Sequence, residues 1–328
     1  MAPLADRFGR VATDLRVSLT DRCNLRCSYC MPAEGLDWLP PEQTLTDDEI
    51  VRLITIGVEM LGIGEVRFTG GEPLVRRGLV DIVARTHALG VETSLTTNAL
   101  GLARTAQALA DAGLDRINAS IDTVRPDTFA TITRRDRLHD VVAGLEAARS
   151  AGLGPIKLNA VLLRGVNDDQ GPELLRWSIE HGYELRFIEQ MPLDAQRDWS
   201  RAEMVTAEEI FDVLSTEFSL TPHGEPRGSA PAELFDVDGG PATVGIIASV
   251  TRPFCGDCDR VRLTADGQVR NCLFAREESD LRTALRSGAT DQEIAERWVI
   301  AMLGKRAGHG IDDMTFLQPD RPMSAIGG

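Results

Sequence analysis

The chain has 328 residues, a net charge of −15 and a hydrophobic fraction of 43%. This length allows one large domain or two, and no apolar run is long enough to predict a membrane span. The strong negative charge argues against general binding of nucleic acid or anionic membranes. The first residues lack the apolar segment of a secretory signal, so we expect a cytoplasmic protein.

The first predicted element is a strand over residues 15–20, which leads directly into a cysteine-rich loop. A helix follows, with a capping box between Thr46 and Glu49 and an end at Gly62. Strands and helices then alternate. The predicted strands are 65–69, 91–97, 116–121, 156–163 and 184–189, and the predicted helices are 79–89, 102–112, one near Asp127, 138–150 and 171–181.

This alternation predicts strand–helix–strand units around a parallel sheet. Six such units fall short of the eight of a closed barrel, so the expected fold is α/β, a partial (βα)6 TIM-type barrel. A doubly wound open sheet is the alternative. In both folds, ligands bind at the carboxyl ends of the strands.

The periodicity changes after Met191. We therefore predict a partial barrel over residues 1–191 and an extension over 192–328 that packs on it. The extension is predicted to contain a helix at 205–214, a strand at 243–249 and a helix at 290–303. Its Pro- and Gly-rich loop (222–231) and its last segment are expected to be irregular.

The loop after the first strand carries Cys23, Cys27 and Cys30 at C-x3-C-x2-C spacing. Clustered thiolates are typical ligands of iron–sulfur clusters or of zinc. Three thiolates would leave one iron of a four-iron cluster open, and an open metal position is typical of catalysis. A disulfide framework is the less favoured reading, because a chain of this length does not need one.

A second triplet consists of Cys255, Cys258 and Cys272. Its C-x2-C part is also typical of half a zinc ribbon, but no second C-x2-C supplies the fourth ligand, which favours a second cluster with an open iron. Arg260 and Arg262 follow on a predicted strand and point to the same face. Two guanidinium groups beside a metal site suit a phosphate or a carboxylate.

These motifs resemble the radical S-adenosylmethionine (SAM) family, whose signature is C-x3-C-x-aromatic-C. Tyr29 supplies the aromatic residue. The segment Gly70-Gly71-Glu72-Pro73, at the end of the second strand, is similar to the family's motif for the amino end of SAM. The order of the two motifs along the chain matches the family as well.

Nearly the whole chain resembles one subfamily, the GTP 3′,8-cyclases of molybdenum cofactor (molybdopterin) biosynthesis. The matching segments are 20–24, 27–32, 67–74, 164–168, 185–191, the second cysteine group with its arginines, and the final Gly327-Gly328. The resemblance implies a lyase that converts GTP to (8S)-3′,8-cyclo-7,8-dihydroguanosine 5′-triphosphate. A 5′-deoxyadenosyl radical would take the hydrogen from C3′ of GTP, and C3′ would close on C8 of guanine.

The resemblance also implies the cofactors, SAM and two [4Fe–4S] clusters, and a role for individual residues. The catalytic metal ligands would be Cys23, Cys27, Cys30, Cys255, Cys258 and Cys272. SAM would be bound by Tyr29, Gly71, Ser120 and Met191. GTP would be bound by Arg16, Arg67, Thr96, Lys157, Arg260 and Arg262. In the subfamily the Gly-Gly end enters the opening of the active site.

Two positions depart from the subfamily: Glu65 stands where relatives often carry a basic residue, and Ala99 where glycine is usual. The expected partners are GTP, an electron donor of the flavodoxin or ferredoxin type, and cyclic pyranopterin monophosphate synthase, which would take over the product. We expect a homodimer, without nucleic acid or membrane. The alternatives are another radical SAM enzyme with one auxiliary cluster and a zinc-stabilised binding protein.

Overall fold

A computed structural model describes residues 3–327 of the chain. Within that range, twelve strands form one sheet. The strands are β1 (Asp14–Ser18), β2 (Glu65–Thr69), β3 (Glu92–Thr97), β4 (Arg116–Ser120), β5 (Ile156–Ala160), β6 (Glu184–Ile188), β7 (Leu220–Pro222), β8 (Glu233–Val237), β9 (Thr243–Ile247), β10 (Arg260–Leu263), β11 (Gln268–Arg270) and β12 (Ser279–Asp280).

Helices connect most of the parallel strands. They are α1 (Asp47–Leu61), α2 (Leu79–His87), α3 (Ala106–Asp111), α4 (Pro126–Thr133), α5 (Leu138–Ser150), α6 (Gly171–Glu180), α7 (Ala207–Ser215), α8 (Arg282–Arg286), α9 (Asp291–Leu303) and α10 (Met323–Ile326). Helices α1, α7 and α9 begin with complete capping boxes at Thr46, Thr206 and Thr290. Over residues 3–327 there is no helix with both the length and the apolar character needed to cross a bilayer.

The strand order is β12-β11-β10-β1-β2-β3-β4-β5-β6-β9-β8-β7. The stretch from β10 to β9 is parallel, whereas β11 and β12 at one edge and β8 and β7 at the other are antiparallel. The predicted six-unit α/β partial barrel is confirmed. Strands β9 and β10 come from residues after 191 and extend the six-stranded parallel sheet at its two edges. The domain boundary at residues 191/192 stays a prediction.

The hydrophobic core lies between the sheet and the helices that cover its outer face. Leu15, Phe68 and Phe187 belong to it and are completely buried. Their strand neighbours Arg16 and Arg67 point the opposite way, because successive side chains of a strand alternate between its faces. Since Arg16 and Arg67 are also direct cross-strand partners, polar side chains of adjacent strands meet on the inner face.

The structure differs from the sequence prediction in several local elements. The expected helix over 102–112 is interrupted, because a 3-10 turn at Leu102–Arg104 ends at Thr105, whose φ of −123° is not helical. Four strands (β7, β8, β11 and β12) and two helices (α8 and α10) were not predicted, and α10 lies in the last segment, which was expected to be irregular. Each has at most five residues, which is too short for a clear hydrophobic period.

Candidate active site

A cavity of about 350 Å³ lies on the inner face of the sheet, and all eight parallel strands contribute side chains to its lining. Cavities of roughly 300–1,000 Å³ are typical of small-molecule sites. Both cysteine triplets line this one cavity. Of the site residues predicted from the sequence, only Lys157 is absent from the part of the lining that the structure describes.

The first cysteine triplet lies in the loop that follows β1. The loop is fixed to the end of α4, because the backbone N–H groups of Arg26 and Ser28 donate to the carbonyls of Thr133 and Ile132. The thiol of Cys23 accepts hydrogen bonds from the backbone of Leu25 and the side chain of Asn98, at 3.5 and 3.8 Å. These donors would favour a thiolate at Cys23 and hold its direction.

The three thiols of the first triplet influence each other. Burial, followed by the nearby Cys23, raises the pKa of Cys30 to about 12. Burial, Asp122 and Cys30 raise the pKa of Cys27 well above its usual value. These raised pKa values favour neutral thiols at pH 7, and a bound iron would remove the proton from each coordinating thiol.

All six cysteines are free thiols, which agrees with metal ligation rather than a disulfide framework. In the described part of the chain, no three His, Cys, Asp or Glu side chains converge on a position for a single metal ion. A cubane cluster does not require such a position, because each thiolate binds a different iron.

Gly70 and Gly71 bring the end of β2 close to the cysteine loop. A methyl group on Gly71 would collide with the backbone oxygens of Asp21 and Arg22, and the Gly71 N–H donates to the Thr20 carbonyl over 2.7 Å. Glycine is therefore required by the chain's own packing as well as by any ligand approach, which the sequence alone did not indicate.

Glu72 fixes the neighbouring strand end from within the protein. It is 1% exposed and accepts hydrogen bonds from the Thr97 hydroxyl and the backbone N–H groups of Asn98 and Leu74, at 2.7, 2.7 and 2.9 Å. Burial raises the pKa of Glu72 to about 7, and these hydrogen bonds oppose the shift. Since Asn98 contacts Cys23, Glu72 supports the cysteine loop indirectly.

Tyr29 and Asp122 form a hydrogen-bonded pair in the cavity wall. The Tyr29 hydroxyl donates to Asp122 over 3.0 Å, and the other Asp122 oxygen accepts the Val161 N–H at 2.9 Å. Burial raises the pKa of Asp122 to about 6. The site residues assigned from the sequence included Tyr29 but not Asp122, although Asp122 comes two residues after the end of β4, where functional residues of such sheets are expected.

Five arginines line the cavity: Arg16, Arg67, Arg186, Arg260 and Arg262. Burial lowers the pKa of Arg262 to about 10, with Arg260 as the next cause, and burial lowers that of Arg186 to about 10, with Arg67 contributing. Asp14 lies 3.7 Å from Arg16 and 3.8 Å from Arg67, and Glu65 lies 2.8 Å from Arg67. Among the described residues, the buried Arg16 Nε and Arg260 Nη2 atoms have no hydrogen-bond partner.

Within residues 3–327, the five cavity arginines have fewer carboxylates beside them than they have positive charges. Guanidinium groups that repel each other in a buried cavity are stabilised by a bound anion, and guanidinium binds phosphate in a bidentate way. The sequence prediction missed Arg186. It donates to Asn159 and Asn118, at 3.0 and 2.6 Å, and its alternation with the apolar Leu185 and Phe187 on β6 could have indicated that it points inward.

Lys157 lies on the same face of β5 as the cavity-lining Asn159, but two residues nearer the amino end of the strand. Its ammonium group is 3.6 Å from Glu184, and its side chain is 30% exposed. Lys157 therefore has a carboxylate partner within the protein. A contact of Lys157 with substrate stays a prediction.

The second triplet lies between β9 and the end of the β10–β11 hairpin. Cys255 begins a 3-10 turn, the Cys258 N–H donates to the Cys255 carbonyl over 3.3 Å, and Cys272 follows β11. Burial raises the pKa of Cys255, and Cys272 and Cys258 raise it as well; all three cysteines line the same cavity. Although burial raises the pKa of Cys258, Arg260 and Lys305 hold it at about 7.

The last described segment enters the cavity between the two triplets. Met323 and Ser324 of α10 line it. The Ile326 carbonyl accepts from Ser18 over 2.7 Å, and the Gly327 carbonyl accepts from Arg262 over 2.9 Å. Gly328, the other half of the predicted Gly-Gly end, lies outside the described residues.

Two family models match the chain. The Radical SAM superfamily model matches residues 17–178, and the Molybdenum Cofactor Synthesis C model matches residues 183–311. Among solved structures, Streptococcus suis SuiB bound to its precursor peptide has a TM-score of 0.60, 13% identity and coverage of 92% of this chain and 67% of SuiB. Native anSMEcpe with bound AdoMet has a TM-score of 0.57, 13% identity and coverage of 91% and 82%. At this identity the structures support the fold alone.

Curated relatives are much more similar. A GTP 3′,8-cyclase of Streptomyces coelicolor is 68% identical over 99% of this chain and 96% of the relative. One from Mycobacterium sp. (strain KMS) is 63% identical, with coverage of 99% and 94%, and one from Corynebacterium glutamicum (strain ATCC 13032) is 58% identical, with coverage of 99% and 89%.

The partial barrel and the cysteine loop after β1, together with the superfamily match, define a radical SAM enzyme. Within that class, the chain belongs to the GTP 3′,8-cyclase family of molybdenum cofactor synthesis, since full-length relatives at 58–68% identity carry that name.

Proposed function

We propose that this chain converts GTP to (8S)-3′,8-cyclo-7,8-dihydroguanosine 5′-triphosphate, the first step of molybdenum cofactor biosynthesis. The observation that carries the proposal is the joint lining of one cavity by two cysteine triplets and five arginines. When bound, the reduced first cluster and SAM would supply the 5′-deoxyadenosyl radical that takes the C3′ hydrogen of GTP. Closure of C3′ on guanine C8 would then require one further electron, from the same class of donor, and one proton to give the dihydroguanine product. The protein binds and orients the substrate and excludes water from the cavity.

In this proposal Cys23, Cys27 and Cys30 hold the first cluster, and one iron stays open for SAM. SAM would lie against Tyr29, Gly71, Ser120 and Met191, which line the same cavity. Tyr29 is kept in place by its hydrogen bond to Asp122. A wall made of backbone, one aromatic ring and a thioether suits a ligand with an adenine and an amino acid end.

The second triplet would hold a second [4Fe–4S] cluster with its own open iron. The donor set fits this group, because Cys255, Cys258 and Cys272 are neighbouring free thiols and a pKa of about 7 makes Cys258 readily available as a thiolate. We assign the open iron to guanine. This iron would hold the guanine base in place and leave the ribose accessible to the radical.

The arginines would bind the triphosphate. We assign Arg16, Arg67, Arg260 and Arg262 to this role, together with Thr96, Lys157 and the newly found Arg186. A triphosphate brings about four negative charges, and each charge-assisted hydrogen bond contributes about 1.5–3 kcal/mol. An otherwise acidic protein thus concentrates its positive charge where the anion binds.

The remaining partner assignments are also part of the proposal. Reduction of the first cluster requires a one-electron donor, for which a flavodoxin- or ferredoxin-type protein is suited, and cyclic pyranopterin monophosphate synthase would consume the product. A cytoplasmic location is supported by six unpaired cysteines, which are typical of a reducing compartment. We also propose that the protein is a homodimer and that its barrel domain ends at residue 191.

The proposal is tested with anaerobically reconstituted protein, SAM, dithionite and one nucleotide at a time. We expect 5′-deoxyadenosine and the cyclised nucleotide with GTP, and neither above background with ATP or CTP. Absence of GTP-dependent 5′-deoxyadenosine would refute the proposal. Two zinc ions and no iron in the purified protein would favour the zinc-stabilised binding protein instead.

Glu65 provides a test of the substrate end of the cavity. Its carboxylate pairs with Arg67 and Arg116, at 2.8 and 3.0 Å, and would compete with a phosphate for Arg67. We expect Glu65→Gln to lower the KM for GTP roughly two- to fivefold with unchanged kcat, since partly exposed pairs are worth about 0.2–1 kcal/mol. Steady-state kinetics measure this effect.

Glu92→Gln is the matched control for Glu65→Gln. Glu92 pairs with Arg116 at 2.8 Å and forms no ion pair with Arg67 among the described residues. Its replacement removes the same charge from the same edge of the sheet. A KM that rises in Glu65→Gln, or that falls equally in both variants, would contradict the assignment of Arg67 to the triphosphate.

The last residues provide a second test. Deletion of Gly327 and Gly328 removes the carbonyl that accepts from Arg262. We expect kcat/KM for GTP to fall roughly 10- to 100-fold, the equivalent of one charge-assisted hydrogen bond, with iron content and SAM binding retained. Activity equal to that of the full chain would show that the contact is dispensable.

A further inference from the structure

Lys305 is a buried cation that the proposed reaction leaves without a role. It follows α9, is 2% exposed and is, with Lys157, one of two lysines in the chain. Within residues 3–327 it forms no ion pair with a carboxylate. A buried ammonium group is costly unless hydrogen bonds and a negative charge compensate it.

The contacts of Lys305 all fall on the second cysteine group. Its Nζ donates to the carbonyls of Arg260 and Cys258 over 2.9 and 3.2 Å, and lies 3.4 Å from the Cys258 sulfur. The ammonium has three hydrogens to donate, so these contacts use its whole capacity. The Cys258 sulfur is the one of these three acceptors that can carry a full negative charge.

Arg10 fixes the segment that carries Lys305 to the same cysteine loop. Its Nη1 donates to the carbonyls of Cys255 and Ala307, over 2.7 and 2.9 Å, and its Nε pairs with Asp6. Arg10 is itself buried. Lys305 is therefore held at a set position relative to the cysteines rather than being a side chain free to move away.

We propose that Lys305 is a positioning residue for the second cluster, which orients the Cys258 thiolate and makes the reduced cluster more stable. This inference rests on the second cluster of the proposed function. Reduction adds one negative charge, and a buried cation in hydrogen-bond contact with a ligand sulfur stabilises that charge. Hydrogen bonds to the sulfurs and local charge are established determinants of cluster potentials.

The test compares Lys305→Met with the wild-type enzyme, both reconstituted with iron and sulfide. Iron content and an EPR-monitored redox titration are measured, and SAM is added to identify the signal of the first cluster. We expect the reduction equilibrium of the second cluster to weaken about tenfold, a 59 mV decrease for one electron. The first cluster should keep its potential and serves as the internal reference.

Two further variants separate charge from packing. Arg297→Met removes an exposed cation of α9 and should leave both potentials unchanged. Lys305→Gln keeps a donor without the charge. It should show the same decrease as Lys305→Met and replaces that variant in the test if the methionine protein does not fold.

Selective loss of the second cluster in Lys305→Met or Lys305→Gln, with four irons retained, would also support the inference. An unchanged potential with both clusters present would overturn it, and so would a failure of both variants to fold, since Lys305 would then act only in general stability. If the wild-type enzyme itself binds only one cluster, the second cluster of the proposed function fails first.

Discussion

Cys27→Ala is expected to abolish both SAM cleavage and GTP cyclisation. Cys27 lines the cavity with Cys23 and Cys30, and both of these thiols and Asp122 raise the pKa of its thiol after burial, so we assign it to the proposed ligand set. Without it two thiolates remain for the first cluster. We expect 5′-deoxyadenosine formation to fall by more than about 1,000-fold, equal to about 4 kcal/mol in activation free energy, and iron content to fall from about eight to about four.

Ser28→Ala is the control for Cys27→Ala. Ser28 lies in the same loop, and its backbone N–H, which donates to Ile132, is kept in the variant. Its iron content and activity should stay close to those of the wild type. Full iron content and SAM cleavage in Cys27→Ala would contradict the assignment of this loop to the first cluster.

Cys255→Ala is expected to separate the two reactions. The second cluster should be lost while the loop after β1 is untouched, so about four irons and SAM binding are retained. We expect the cyclised nucleotide to fall below detection, a loss of more than about 1,000-fold, because guanine loses its proposed anchor. Slow SAM cleavage that no longer depends on GTP should remain.

Asp257→Asn is the matched control for Cys255→Ala, because Asp257 lies exposed in the same turn and carries no thiol. It should retain both clusters and cyclisation. Product analysis by mass spectrometry, with iron determination on the same samples, checks both variants. Normal cyclisation by Cys255→Ala would show that the second triplet is structural.

Regular periodicity allowed most of the barrel to be predicted from the sequence. The strand Glu65–Thr69 has the predicted bounds, and the capping box at Thr46 is complete. Periodicity and capping patterns predict these elements because each strand–helix unit buries one face against units that are adjacent in sequence. Such patterns do not predict the pairing of β1 with β10, which joins Arg16 to Arg262, 246 positions further along the chain. The extension was therefore expected to pack on the barrel rather than to extend its sheet.

The cysteines and the glycine motif could be found because their residue types and spacing are specific. Arg186 and Asp122 were not assigned to the site, because a single arginine within a strand or a single aspartate after one is a weaker signal than a spaced motif. The role of Lys305 depends on a contact between residues 305 and 258, and no local pattern indicates it. The departure at Ala99 has a structural counterpart, because its φ of 61° is the left-handed conformation that glycine adopts without strain.

The central claim is that a radical formed at the first triplet acts on GTP held by the arginines and the second triplet. GTP deuterated only at C3′ tests it most directly, with the 5′-deoxyadenosine product analysed by mass spectrometry. The account predicts one deuterium in 5′-deoxyadenosine and its loss from the cyclised nucleotide. Cyclised product accompanied by unlabelled 5′-deoxyadenosine would contradict it.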